Sequence, residues 1–288
     1  MPVRLIINAD DFGLTGGVNR AIAELHDAGA VTSATLMASG AAFDDAVALA
    51  LARPSLGVGC HIVLVDGIPV SDPASIPTLL GPDRRSFRMS LADFALGVLR
   101  GAITHEDIER ETLAQIKKLQ RAGLKLTHAD THKHTHLLSR VTRPIIRALE
   151  QSGVRCIRNP FEPRWAATLS GSTRRSLFVR AFQPGRRRFE ASPPIAGRRI
   201  LTTRGTIGIS ATGHLNSSTL SSLLQKIPDG TWELVCHPGY NDPDLDAIAT
   251  RLRTERETEL AALLAALAKS SSNPLHPSTL KLISYKEV

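Results

Sequence analysis

Four polar groups in this sequence each follow directly on a short apolar, strand-like run. Asp10 and Asp11 follow residues 3–8, His61 closes residues 56–62, the tract His132-Lys133-His134-Thr135-His136 follows residues 125–130, and His237 follows residues 232–236. In parallel α/β folds the carboxyl ends of the strands share one face, so groups far apart in the chain can converge there. Each group also has a plain structural reading. Asp-Asp-Phe-Gly suits an Asx turn that caps the next helix, a lone histidine such as His61 is commonly a hydrogen-bonded core residue, and a short histidine tract can be a solvated loop. The tract is the hardest to dismiss. On an extended segment His132, His134 and His136 face one side, and three imidazoles there repel one another if protonated, whereas a metal ion binds them neutral. A carboxylate and two histidines give three ligands and leave coordination positions for water and substrate. A second aspartate beside a ligand suits a general base, and His237, isolated at another strand end, suits an acid for a leaving group. That set amounts to metal-assisted hydrolysis.

The elements that must hold these groups alternate between β-like and helical periods, which predicts an α/β fold with mostly parallel strands. Strands are expected at 3–8, 32–38, 56–62, 125–130, 154–158, 232–236 and 280–285, with helices at 17–28, 42–53, 104–122, 141–152, 217–226 and 244–269. The helix from Thr104 carries Glu106 and Asp107 in its first turn and Lys117, Lys118 and Arg121 near its end, matching the helix dipole at both ends before Gly123 stops it. Residues 63–90 are rich in proline and lack a period, which points to a functional lid.

With 288 residues, 42% of them hydrophobic, the chain is expected to form one domain over 1–288, with an arginine-rich insertion at 158–204. Its net charge of +8 is local: residues 158–204 hold eleven arginines, no lysine and two glutamates (Glu162, Glu190), and the remainder is close to neutral. Aromatic residues make up only 4%, and no nucleic-acid-binding motif accompanies the charge, which argues against nucleic acid as a partner. Cys60, Cys156 and Cys236 are odd in number and far apart, so they do not form a disulfide framework. Cys60 and Cys236 each precede a histidine of interest and are expected to point the other way, into packed layers. No signal-peptide pattern opens the chain, and no stretch nears the roughly 18 apolar residues of a spanning helix. A cytoplasmic location is the expectation.

The run Ile7-Asn8-Ala9-Asp10-Asp11-Phe12-Gly13, the strand end Gly59-x-His61, Asp130-Thr131-His132-Lys133-His134-Thr135-His136 and Cys236-His237-Pro238-Gly239, in that order, together resemble the YdjC-like carbohydrate deacetylases. With Leu282-Ile283-Ser284-Tyr285, the resemblance covers nearly the whole chain apart from the arginine-rich region. Thr32-Ser33-Ala34-Thr35-Leu36-Met37, residues 63–70 and His132-Lys133-His134 are most similar to the hopanoid-biosynthesis-associated branch. The resemblance implies a distorted (β/α) barrel of the polysaccharide-deacetylase type and removal of acetyl from an N-acetylated amino sugar. For that branch it implies an N-acetylglucosaminyl hopanoid glycolipid. It further implies Asp11, His61 and His132 as ligands of one divalent metal ion, magnesium or zinc, with Asp10 as base and His237 as acid. Asp130 suits a partner that orients a ligand histidine through its far ring nitrogen. His134 and His136 line the sugar site or support the ligands, and inert packing is an equal reading for His136.

Two other functions are weighed against this one. A metal-dependent phosphoesterase uses similar ligands but more bridging carboxylates than the sequence offers. A polyanion-binding or membrane-surface protein would act through residues 158–204 alone. If the substrate is a glycolipid, the same arginines suit a peripheral contact with an anionic inner membrane surface. A homodimer is left open.

Overall fold

A computed structural model of the chain describes residues 3–170, 173–268 and 280–288. Among the described residues, seven parallel strands alternate with helices. The first half comprises β1 (Val3–Phe12), α1 (Gly16–Asp27), β2 (Ser33–Leu36), α2 (Phe43–Leu51), β3 (Gly57–Ile62), α3 (Leu91–Leu99), α4 (His105–Arg121), β4 (Ala129–Thr131) and α5 (Ser139–Ser152). Short helices follow: α6 (Arg164–Ala167), α7 (Thr173–Phe182), α8 (Pro184–Glu190) and α9 (Pro193–Ala196). The chain then forms β5 (Thr206–Ile207), α10 (Ser217–Lys226), β6 (Gly230–Cys236), α11 (Pro243–Asp246), α12 (Thr254–Leu267) and β7 (Leu280–Leu282).

The strands run in the order β4-β3-β2-β1-β6-β5, all parallel. β1 is the centre of the sheet because its apolar run has no exposed face: it is buried from Leu5 to Phe12. It pairs with β6 along one edge, while β7 and β2 share the other, β7 at Val3 to Leu5 and β2 from Asn8 onward. The sheet curls into a half-barrel. Past β4, the single parallel bridges Ala129 to Ile157 and Cys156 to Leu201 continue the curl, and the chain from Leu201 returns to β5 beside β6. Residues 154–158, expected as a strand, therefore contribute only isolated bridges. Helices cover the outside. α1 begins at Thr15, whose hydroxyl accepts from the Val18 amide, and α4 begins at Thr104, whose hydroxyl accepts from Asp107. Most buried apolar side chains form one continuous cluster.

Several expectations shift. β1 runs on through Asp10 and Asp11 instead of stopping at Asn8. The long helix expected at 244–269 is broken into α11 and α12, and its last residue, Lys269, lies outside the described residues. Residues 63–90 are pinned rather than free. The Val70 and Ser71 amides both donate to the Glu111 carboxylate at 2.9 Å, Thr78 donates twice to Asp107, and Ile76, Leu79 and Phe87 are buried. No helix among the described residues is long and apolar enough to cross a membrane.

Candidate active site at the strand ends

Neighbouring side chains on a regular strand point to opposite faces, so Asp10 and Asp11 could not both reach one site from an undistorted β1. The pairing of β1 with β2 slips between Ala9 and Phe12, and Asp11 sits in the left-handed region at φ 66°. This bulge turns Asp11 back toward the side that Asp10 occupies. Aspartate tolerates that conformation better than most residues, though it remains strained.

Asp11 then meets two histidines from other strand ends. Its Oδ1 lies 3.5 Å from His61 Nε2 and 3.6 Å from His132 Nδ1, and the two nitrogens are 3.3 Å apart. Donors held tetrahedrally about 2.1 Å from a metal ion are separated by about 3.4 Å, so the triangle has the size a single cation requires. The chemistry of the donor set fits as well. His61 Nδ1 lies 2.8 Å from Asp130 Oδ1 and donates to it, so that in the neutral ring Nε2 carries the lone pair and faces Asp11 and His132. Burial opposes a charge on His61, but Asp130, Asp10 and Asp11 together push its pKa up to about 9. The surroundings thus favour positive charge at that nitrogen. His132 is 21% exposed at its side chain, which leaves the triangle open to solvent. Asp10, His61 and Asp130 form another close acidic group, but both its carboxylates are already paired with Arg158.

Arg158 is fully buried at the centre of this arrangement. Its Nη2 and Nη1 donate to Asp10 Oδ1 and Oδ2 at 2.7 and 2.8 Å, Nη1 also meets Asp130 at 2.5 Å, and Nη2 meets Glu233 at 2.7 Å. Burial raises the Asp10 pKa, yet the Arg158 guanidinium outweighs it and holds the carboxyl far below its usual range. Asn8 and Thr35 add contacts to Asp10 Oδ1, so Oδ2 is the oxygen with capacity to spare; it faces His237 Nε2 at 3.9 Å. Asn8 is itself held by His128, which stacks on Tyr285 with ring centroids 3.8 Å apart. Gly59 makes room for that imidazole, since a Cβ there would lie 2.6 Å from it.

The helix α12 braces both ends of the site from one face, its Arg256 and Glu259 being three residues apart. Arg256 donates to Asp11 Oδ2 at 2.6 Å, leaving Oδ1 for the triangle. Burial opposes ionisation of Asp11, but Arg256, with His132 and His61, keeps its pKa well below the usual value. Glu259 accepts from the His237 amide at 2.6 Å and stands 4.0 Å from its Nδ1; burial pushes the Glu259 pKa up.

The sequence profile of the YdjC-like protein family matches residues 4–271. The chain belongs to the YdjC-like family. This YdjC-like chain is 33% identical over 292 residues to a carbohydrate deacetylase of Brevibacillus brevis, covering 99% of the chain and 100% of that protein. It is 35% identical over 264 residues to a carbohydrate deacetylase of Geobacillus stearothermophilus, covering 91% and 90% of the two chains. Among solved structures, a candidate cellobiose-phosphate cleavage protein from Enterococcus faecalis superposes with a TM-score of 0.76 at 21% identity, covering 100% of this chain and 99% of that one. That likeness is one of fold.

The histidine tract of the YdjC-like chain is not extended, so its three imidazoles do not share a side. Lys133 and His134 take left-handed backbone angles, φ 54° and 51°, and the chain coils in a tight 3₁₀ turn. His132 reaches Asp11 and His61. His136 is turned inward, between the Thr131 hydroxyl at 2.6 Å and the Arg158 carbonyl at 3.3 Å, and burial with the Arg158 charge lowers its pKa to about 3. It packs and supports. His134 has a buried Nδ1 with no partner among the described residues. Burial, then the Arg158 charge, keeps its ring well below the ordinary histidine pKa. Cys60 and Cys236 are buried, as their places before site histidines predict.

Arg158, Glu233, Arg256 and Glu259 escaped the reading of the sequence. Two carried a signal. Arg158 ends the apolar run Val154-Arg155-Cys156-Ile157, the same placement that singled out the other site residues, and Glu233 is a lone charge inside Trp232-Glu233-Leu234-Val235.

Proposed function

We propose that this protein is a metal-dependent hydrolase that removes acetyl from an N-acetylated amino sugar, with Asp11, His61 and His132 as the metal ligands. One observation carries the reading: the donor triangle lies beside a facing pair, Asp10 Oδ2 and His237 Nε2, set 3.9 Å apart. The relatives named carbohydrate deacetylase support the substrate class. A divalent cation held by Asp11, His61 and His132 would supply Lewis-acid polarisation. Asp10 accepts the proton of the attacking water at Oδ2, which takes one bond from Arg158 while Oδ1 takes further bonds from Asn8 and Thr35. His237 donates through Nε2 to the departing amine, which is a poor leaving group until protonated. Asp130 fixes the tautomer of His61. A phosphoesterase with two bridged metals would need Asp10 or Asp130 as ligands, and both are held by Arg158. The likeness to the hopanoid-associated branch extends the proposal to a glycolipid bearing N-acetylglucosamine.

The test is acetate release from a panel of N-acetylated glycans and glycolipids before and after chelation, with magnesium, zinc, manganese or cobalt added back. The proposal expects release to vanish with the metal and return with at least one ion. No acetate release from any member of the panel with any of the added ions, or full acetate release from the folded, metal-stripped protein, would overturn it.

A further inference from the structure

Beside the site loop, where Leu137 and Leu138 follow His136, a groove of about 900 Å³ lies between α3, α5 and the helices α7 and α8. Its floor is apolar, built from Val98, Leu138, Ile146, Phe161 and Phe189. On its rim stand Arg140, Arg143 and Arg188, all exposed, and their guanidinium groups make no hydrogen bond or ion pair with any described residue. Two large apolar side chains are left in solvent here: Leu99, 65% exposed on the groove wall, and Leu177, 59% exposed one helical turn before the groove residue Ala181. Monomeric proteins seldom leave such side chains beside a concave apolar floor without a ligand for it.

We infer that this groove binds one molecule of an anionic amphiphile, its apolar tail along the floor and its phosphate or carboxylate head on Arg140, Arg143 and Arg188. Apart from the exposed Ser139, the other polar side chains of the lining have partners inside the protein. Thr142 donates to the His136 carbonyl at 2.6 Å, Ser192 to the Phe189 carbonyl at 2.7 Å, Arg147 to Glu109 at 2.7 Å, and Glu150 pairs with Arg199 at 3.0 Å. A peptide would bring backbone amides and carbonyls that need new hydrogen bonds, and few groups here are free to form them. A hydrocarbon tail makes no such demand. The three free arginines complement a negative head, for which guanidinium forks are well shaped. The inference stands apart from the deacetylase reading, because binding here needs neither the metal nor the site aspartates.

Calorimetric titration of the full chain with dodecyl phosphate, kept below its micelle concentration, tests it. One saturable site per chain is expected, weakening as salt is raised. Dodecyl maltoside, with the same tail and a neutral head, and inorganic phosphate, with the head alone, are each expected to bind at least about tenfold more weakly. A variant with Arg140, Arg143 and Arg188 all changed to serine should lose about tenfold or more while keeping its melting temperature and acetate release. Leu99→Asp should also weaken binding, through the tail. Equal binding of the neutral and anionic detergents, unchanged affinity in the triple variant, or preference for an acidic amphipathic peptide would overturn the inference. So would binding confined to phosphatidylglycerol vesicles with none of the monomer.

Discussion

The buried arginines Arg158 and Arg256 and the exposed arginines Arg140, Arg143 and Arg188 carry the same side chain into opposite circumstances. Arg158 and Arg256 are sealed from solvent, and each is committed to a site aspartate at 2.6–2.8 Å. There Arg256 occupies Oδ2 of Asp11 and leaves Oδ1 available, while Arg158, bonded to both oxygens of Asp10, keeps that carboxylate ionised before any ligand arrives. The groove arginines have no such commitment, so their charge is free for an outside anion. Burial thus decides whether an arginine preorganises chemistry or recruits a partner. The basic pI of 9.9 conceals this division, since Arg158, counted with the arginine-rich segment, belongs to the site.

The buried arginines carry the largest expected effects. Arg158→Met strands Asp10, Asp130 and Glu233 without their shared cation, and should cost about 3–5 kcal/mol of stability in urea unfolding. Arg158→Lys, which keeps the charge but not the fork, should retain the fold and lose turnover. Asp10→Asn preserves shape and removes the proton acceptor; turnover should fall by about 10²-fold or more while metal content stays unchanged. Arg256→Gln should destabilise the chelator-treated protein by about 1–2 kcal/mol, and less with a cation present that again compensates Asp11, a difference read from paired melting curves. On the exposed half, serine at Arg140, Arg143 and Arg188 should alter stability by no more than about 0.5 kcal/mol.

Much of this architecture is legible in the sequence because apolar strands are punctuated by polar residues where they end. His61, His132 and His237 were found by that rule, and the structure brings them together with Asp10 and Asp11. What the rule cannot convey is backbone handedness. The bulge at Asp11 and the left-handed pair at Lys133 and His134 depend on tertiary packing, and they decide that Asp10 and Asp11 share a side while His132 and His136 do not. Buried charge is the other blind spot. An arginine in an arginine-rich stretch looks solvated, and only the strand-end position of Arg158 separates it from its neighbours. Arg256 and Glu259 lie in a helix whose sequence is charged throughout its first half, so nothing in the pattern marks the two that turn inward.

In the proposed reaction Asp11, His61 and His132 hold a cation that the hydrolysis of an N-acetyl group requires. That requirement is tested most directly by measuring metal content and acetate release together in the wild-type protein and in His132→Ala, a change at a partly exposed side chain that the fold should tolerate. The expected result is one divalent ion per wild-type chain together with acetate release, and loss of both in the variant. Acetate release at the wild-type rate from a metal-free His132→Ala protein would rule out these ligands.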